Sequence, residues 1–272
     1  MPVTHPRLCR TLLAALITLV ALTGCTSAGS GTSGPPATAT QPAVRSPSAT
    51  SASIAGRSPS TVLADAIAAL KGGGSVHNEF VARGGSHVTA VYSDDSGTNS
   101  GRQVITVNGT EHAEVLVVDG VAYIKGNETA LTEFFGFTSA QAGYQVNRWI
   151  AFHPGDSGGK TDYDAVVAGV TLAGVADEVN LTGPLTLTPP TTVAGQLAIG
   201  VHGRVPSGVG VPAGTMATLY VAAIGRPVPV AYQLGFTGNL RYTITFGRWG
   251  EPLHLTAPTD AIPVASSSHT TV

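Results

Sequence analysis

Two dipeptides, Asn108-Gly109 and Asp119-Gly120, do most to limit what this chain can fold into. The first separates the run at 102–107 from that at 111–118, and the second separates the latter from 121–125. Asn-Gly and Asp-Gly favour two-residue turns whose twist suits paired strands, because both turn residues take positive φ. Three strands joined so tightly predict an antiparallel meander.

Other strands are expected on both sides. His77–Ala82 and Ser86–Tyr92 precede the meander, and the polar stretch 93–101 (SDDSGTNSG) reads as a loop. Leu181–Leu187, Gly195–Val205, Thr215–Ile224, Pro227–Phe236, Leu240–Phe246 and Leu253–Thr256 follow, with turns at Gly225-Arg226 and Gly238-Asn239. Alternation puts Val228, Val230, Tyr232, Leu234 and Phe236 on one face, and Tyr242, Ile244 and Phe246 on another.

Helices are fewer. Val62, Leu63, Ala66, Ile67 and Leu70 recur at three- and four-residue intervals and predict a helix over Ser60–Leu70, stopped by Gly72-Gly73-Gly74. Two short helical pieces are expected around Gly136 within Glu128–Gln145. Asp162–Val179 reads as one helix or a broken pair, with Asp162 and Asp164 placed to suit its dipole. The sum is an α+β chain: one curved antiparallel sheet, a half-barrel of about nine to eleven strands, with helices across its concave face.

The amino terminus sets the compartment. Arg7 and Arg10 precede an apolar run, Leu12–Leu22, shorter than the roughly 20 residues that span a bilayer, and it reads as a secretion signal. Leu22-Thr23-Gly24-Cys25 then resembles the lipobox of bacterial lipoproteins, which implies acylation of Cys25 and residence at the cell membrane, lipid-anchored on the extracytoplasmic face. Two acyl chains make a stable anchor where one is marginal. The expected organisation is a signal peptide at 1–24, a lipidated Cys25 and flexible Ser/Thr/Pro/Gly tether at 25–58, a folded domain at 59–264 and a disordered tail at 265–272.

Charged residues make up only 11% of the chain, with 14 basic against 16 acidic. Loss of Arg7 and Arg10 deepens the acidic balance, which argues against nucleic acid as a partner. Cys9 would leave with the signal, so no free thiol remains for a disulfide, a metal or a nucleophile. No cofactor is expected.

The order of pieces resembles actinobacterial lipoproteins of the LppX/LprAFG type. The likeness rests on Gly120–Lys125 (GVAYIK), on Trp149 within RWIAF, and on Trp249-Gly250-Glu251-Pro252 with Ala257-Pro258. It implies a half-barrel related to periplasmic lipoprotein carriers, with an apolar cavity for acylated or other multi-chain lipids and no catalytic residues. The expected ligand is hydrophobic or acylated, and the protein is expected to act as a monomer. Leu131, Phe134, Phe135, Val166, Val170 and Tyr123 are the candidate cavity residues; the same aromatic and Val residues would serve equally as plain core.

Two other readings stand beside the carrier: a non-catalytic envelope interaction or structural lipoprotein without a cavity, and a serine hydrolase. The latter rests on Gly155-Asp156-Ser157-Gly158-Gly159, which matches the nucleophile loop of chymotrypsin-like proteases. Ser157 would need an activating His oriented by a carboxylate. No His stands in the expected context, and Lys160 follows the motif, so a Gly- and Asp-rich surface turn explains the same letters. His77, His87, His112, His153, His202, His254 and His269 lack the paired spacing of a zinc site. Asp94-Asp95 lacks a calcium-loop pattern, and Gly208–Ala213 reads as a loop only.

Overall fold

The computed structural model describes residues 53–54, 56–84, 88–206, 211–212, 214–235 and 241–264. The signal, Cys25, most of the tether, the Gly238-Asn239 turn, Gly208–Gly210, His87, His269 and the tail lie outside the described residues. Among the described residues no helix is long and apolar enough to cross a membrane.

Helix α1 (Pro59–Lys71) starts where Pro59 fits the first turn and Ser58 Oγ accepts a hydrogen bond from the Thr61 amide. It buries Val62, Leu63, Ala66 and Leu70, as the spacing predicts. The meander follows: β1 (Ser75–Gly84), β2 (Val88–Gly97), β3 (Gly101–Val107), β4 (Glu111–Val118) and β5 (Val121–Gly126). Asn108 and Gly109 have φ of 52° and 73°, and Asp119 and Gly120 of 53° and 74°. Both tight turns therefore take the form their residues favour.

The middle holds α2 (Glu128–Phe135), α3 (Ser139–Gln145), β6 (Ile150–Phe152), the hairpin β7 (Ser157–Gly158) and β8 (Thr161–Asp162), then α4 (Tyr163–Val170) and α5 (Leu172–Glu178). Asn127 caps α2 through the Ala130 amide, and Gly136 closes it in the left-handed region. Thr138 and Gln141 form a reciprocal capping box on α3. Asp162 caps α4, and an extended Thr171, ψ 153°, breaks α4 from α5, so the expected broken pair is what forms. The chain ends with β9 (Thr182–Leu187), β10 (Thr191–Val193), β11 (Gln196–Arg204), β12 (Met216–Ala222), β13 (Pro229–Gly235), β14 (Arg241–Gly247) and β15 (Ile262–Pro263).

Thirteen strands form one open sheet in the order β10-β11-β12-β13-β14-β1-β2-β3-β4-β5-β6-β15, with β9 also pairing β11. Its pairs are antiparallel except β15 with β6. The half-barrel is thus wider than expected, because β10 and β15 are too short to leave an alternating pattern. One apolar cluster runs along its inner face, joining residues of α1, α2, α4 and α5 to strands from β11 to β6.

Three sequence expectations are corrected. Ser93–Gly97 is strand, not loop, and its partners on β1 and β3 explain how polar residues hold it. The alternation over 228–236 breaks, because the β12–β13 register shifts: Tyr220 faces Ala231 while Val221 faces Pro229. Val230 accordingly packs with Ala198 and Ala222 on the outer face, whereas Tyr232 belongs to the inner cluster. Leu253–Thr256 is no strand. Residues 250–261 instead form a strap across the outer face, entered from Trp249, which packs on the inner cluster beside Phe246 and Gly73; Leu253 lies against Gly97, and Leu255, Ala257 and Ala261 pack on Leu116, Val118, Tyr123 and Ala151.

Candidate functional site

The candidate site is the boundary between the sheet's inner face and the helices. Strand register builds it in rows. One row crosses the sheet as Leu219, Tyr232, Ile244, Phe80, Tyr92 and Ile105. Phe80 stacks at 4.9 Å from Tyr92 and 5.3 Å from Tyr242. The adjacent row reads Phe246, Asn78, Asp94, Gln103, Val115, Ile124 and Ile150. Its ends are apolar and its centre is polar.

That polar centre was not legible as a site, because half of it fell in the stretch read as a loop. Asn78, Asp94, Ser96 and Gln103 are all fully buried. Asn78 Nδ2 donates to Ser96 Oγ at 3.2 Å. Neither amide atom of Gln103 has a hydrogen-bond partner among the described residues. The signal that could have found them is parity: 78 faces inward with Val76 and Phe80, and the paired strand carries 94 and 96 with Tyr92.

Above this floor lie α4 and α5. Val166 and Val170 are fully buried beneath α4. Gly101 is a position of close approach, since a methyl group there would overlap the Val170 carbonyl oxygen. Thr171 bridges to Gly97, seating the α4–α5 junction directly on β2. Over β4 and β5, α2 contributes Leu131, Phe134 and Phe135. Leu131, Phe135, Val166 and Val170 expose no surface, so protein atoms fill the space beside them.

Five of the six candidate cavity residues therefore share one cluster, and Tyr123 does not. Its neighbours Ala122 and Ile124 face the helices, so alternation turns Tyr123 outward, under the strap with Leu116, Val118 and Ala151. A pocket of about 280 Å³ lies at the ends of β11–β14 along the outer-face row His202, Thr218, Gln233 and Thr243, on the side of the sheet away from the helices.

Electrostatics mark the interior as dry. Burial, with a contribution from Glu178, pushes the Tyr232 hydroxyl well above the usual tyrosine range, and that hydroxyl has no partner among the described residues. Burial raises Tyr242 to about 12. Glu111, at the end of β4, is raised by burial and the charge of Glu133, against a hydrogen bond from Asn108.

On the outer face the polar groups pair. His77 Nδ1 lies 2.8 Å from Asp95 Oδ1, which also accepts from Arg248 at 3.3 Å. Ser75 Oγ donates to the Glu251 carbonyl at 2.5 Å. Together with Arg102 and His254 they line a pocket of about 190 Å³ between sheet and strap.

The Ser157 motif forms the β7–β8 hairpin, closed where the Lys160 amide donates to the Phe135 carbonyl and the His153 amide to Asp156 Oδ2. Ser157 is exposed, and no histidine among the described residues is hydrogen-bonded to it. No three His, Cys, Asp or Glu side chains among those residues gather as a metal would need.

No protein-family model matches the sequence, and no curated protein does. Among solved structures the chain is similar to the lipoprotein LppX of Mycobacterium tuberculosis, with 16% identity and a TM-score of 0.48 over 73% of this chain and 100% of that one. It is similar to LprF of Mycobacterium bovis, with 16% identity and a TM-score of 0.44 over 74% and 96%. The chain resembles the LppX and LprF lipoproteins. A LolA-superfamily protein of Nitrosomonas europaea is also similar, at 9% identity and a TM-score of 0.27 over 70% and 92%.

Proposed function

We propose that this chain is a cell-envelope lipoprotein, acylated at Cys25 and anchored on the extracytoplasmic face of the cell membrane, that binds or carries a lipid or other hydrophobic ligand. It acts as a monomer and performs no chemistry. The observation that carries this reading is the wide apolar inner face of an open sheet, part of whose cover is α4 and α5, two short helices rich in Ala, Val and Gly. Helices of seven or eight residues owe their stability to packing rather than to their own hydrogen bonds. A cover of that kind can part from its floor, and an apolar floor is where a hydrocarbon chain is stabilised.

Since Leu131, Phe135, Val166 and Val170 are fully buried, the ligand enters only when the cover lifts. The test is native mass spectrometry of the protein purified from an actinobacterial host. Bound lipid is expected, and repeated recovery of a ligand-free chain that also takes up no added lipid refutes the carrier. Acylation is checked separately: labelled palmitate should enter the wild type and not Cys25→Ala.

The same complete burial favours a second reading, an envelope interaction module with a solid core. Its mark is a protein partner recovered by crosslinking together with no lipid uptake.

A further inference from the structure

An inner face built only to be a permanent core has no use for four fully buried polar side chains at its centre. Asn78, Asp94, Ser96 and Gln103 come from three adjacent strands, β1, β2 and β3, and lie in neighbouring positions by register. Asn78 and Ser96 are bonded to each other. Gln103 is different: it sits opposite Asp94 and Val115, exposes no surface, and leaves both its carbonyl oxygen and its amino group unbonded among the described residues. Such groups are rare in folded proteins, and each carries the penalty of leaving water without a replacement partner. Leucine would fill the same space without that penalty.

We infer that Gln103, beside Asn78, Asp94 and Ser96, is a hydrogen-bonding subsite for the uncharged polar joint of a long-chain amphiphile, a hydroxyl above all, in a polar centre flanked by apolar rows. The inference rests on the carrier reading above and adds the ligand's chemistry to it. A side-chain amide offers both a donor and an acceptor, and a hydroxyl both takes and gives a hydrogen bond. An ester carbonyl satisfies only the donor, and a bare hydrocarbon satisfies neither. An ion would enter at a far larger desolvation cost. The apolar surfaces on either side suit the rest of such a molecule: Phe80, Tyr92 and Ile105 lie in one flanking row, and Val117, Ala122 and Phe152 in the other. Access comes through the α4–α5 cover. Its junction at Thr171 lacks a side-chain cap on α5 and rests on the glycines of β2 and β3.

The experiment uses residues 26–272, the chain that follows the lipidated Cys25 and keeps every strand and helix described above, as wild type, Gln103→Leu and Gln103→Met. Binding of 1-monopalmitoylglycerol and of hexadecane, each delivered from cyclodextrin, is measured by native mass spectrometry, with thermal unfolding of each protein alongside. The wild type should prefer monopalmitoylglycerol about tenfold, the worth of one good buried hydrogen bond. Both variants should lose that preference, keep their hexadecane binding and unfold at a higher temperature. Equal binding of the two probes by the wild type, or an unchanged preference in the variants, overturns the subsite and leaves the carrier reading standing. Binding of neither probe by any of the three proteins overturns the carrier reading and the subsite with it.

Discussion

Residues one step apart on the same two strands meet opposite fates. On the outer face His77 and Asp95 pair with each other, Arg248 joins them, and the strap supplies the Glu251 carbonyl to Ser75. On the inner face Asn78, Asp94 and Ser96 are sealed away from water, and Gln103 beside them has no side-chain hydrogen-bond partner among the described residues. Outside, polar residues cost little, because solvent and the strap complete them. Inside, a polar group must be completed by a neighbour, as Asn78 is by Ser96. The two faces differ in how their polar groups are completed, by the strap on the outside and by neighbouring strands on the inside.

Substitution of Phe135 tests the inner face most harshly. Phe135→Ala should cost about 4 kcal/mol in urea unfolding if the ring is packed as tightly as its complete burial indicates. A loss under about 1 kcal/mol would mean that α2 already borders open space.

Gly101→Ala comes next, since its methyl group overlaps the Val170 carbonyl. A loss of about 2 to 3 kcal/mol is expected, with a rise in ANS fluorescence as the α4 end lifts from β3. An unchanged protein would show that the cover shifts freely over β3.

The outer face should yield less. Asp95→Asn removes the acceptor shared by His77 and Arg248, both partly exposed, and should cost no more than about 1 kcal/mol and less still in high salt. A larger, salt-insensitive loss would make the strap the more rigid of the two surfaces.

The smallest effect is with pH. Free tyrosine ionises near pH 10, and burial holds Tyr242 to about 12 in the folded chain. The raised value means the folded state keeps its proton longer. The associated stability is whole below about pH 10 and is lost as pH rises towards 12. Unfolding temperature should fall over that window, and Tyr242→Phe should flatten the fall. Titration at 295 nm should show the buried tyrosines of the wild type ionising last.

Much of this architecture was legible beforehand because its signals are local. The two Xaa-Gly turns, the α1 stripe and the break after Gly136 each depend on neighbours in sequence. What escaped depends on neighbours in space. The stretch 93–97 looks like a loop until β1 and β3 supply its partners. A register shift opposite Val230 has no local signature, so the alternation over β13 misplaced Val228 and Val230. Tyr123 shares its strand with inward-facing Ala122 and Ile124, and only parity, unused for that strand, separates it from them. In the candidate site the apolar members were readable as a group. The polar centre was not, since polarity in sequence argues for water and only the fold withdraws it.

The strap also bears on how the chain is made. Strand β15 lies alongside β6 and so shields what would otherwise be a bare hydrogen-bonding margin, yet it is the last element described. During synthesis β6 is finished about a hundred residues before its guard arrives. A nascent chain stalled ahead of Trp249 would carry that margin uncovered, exposed to pairing with another copy of itself.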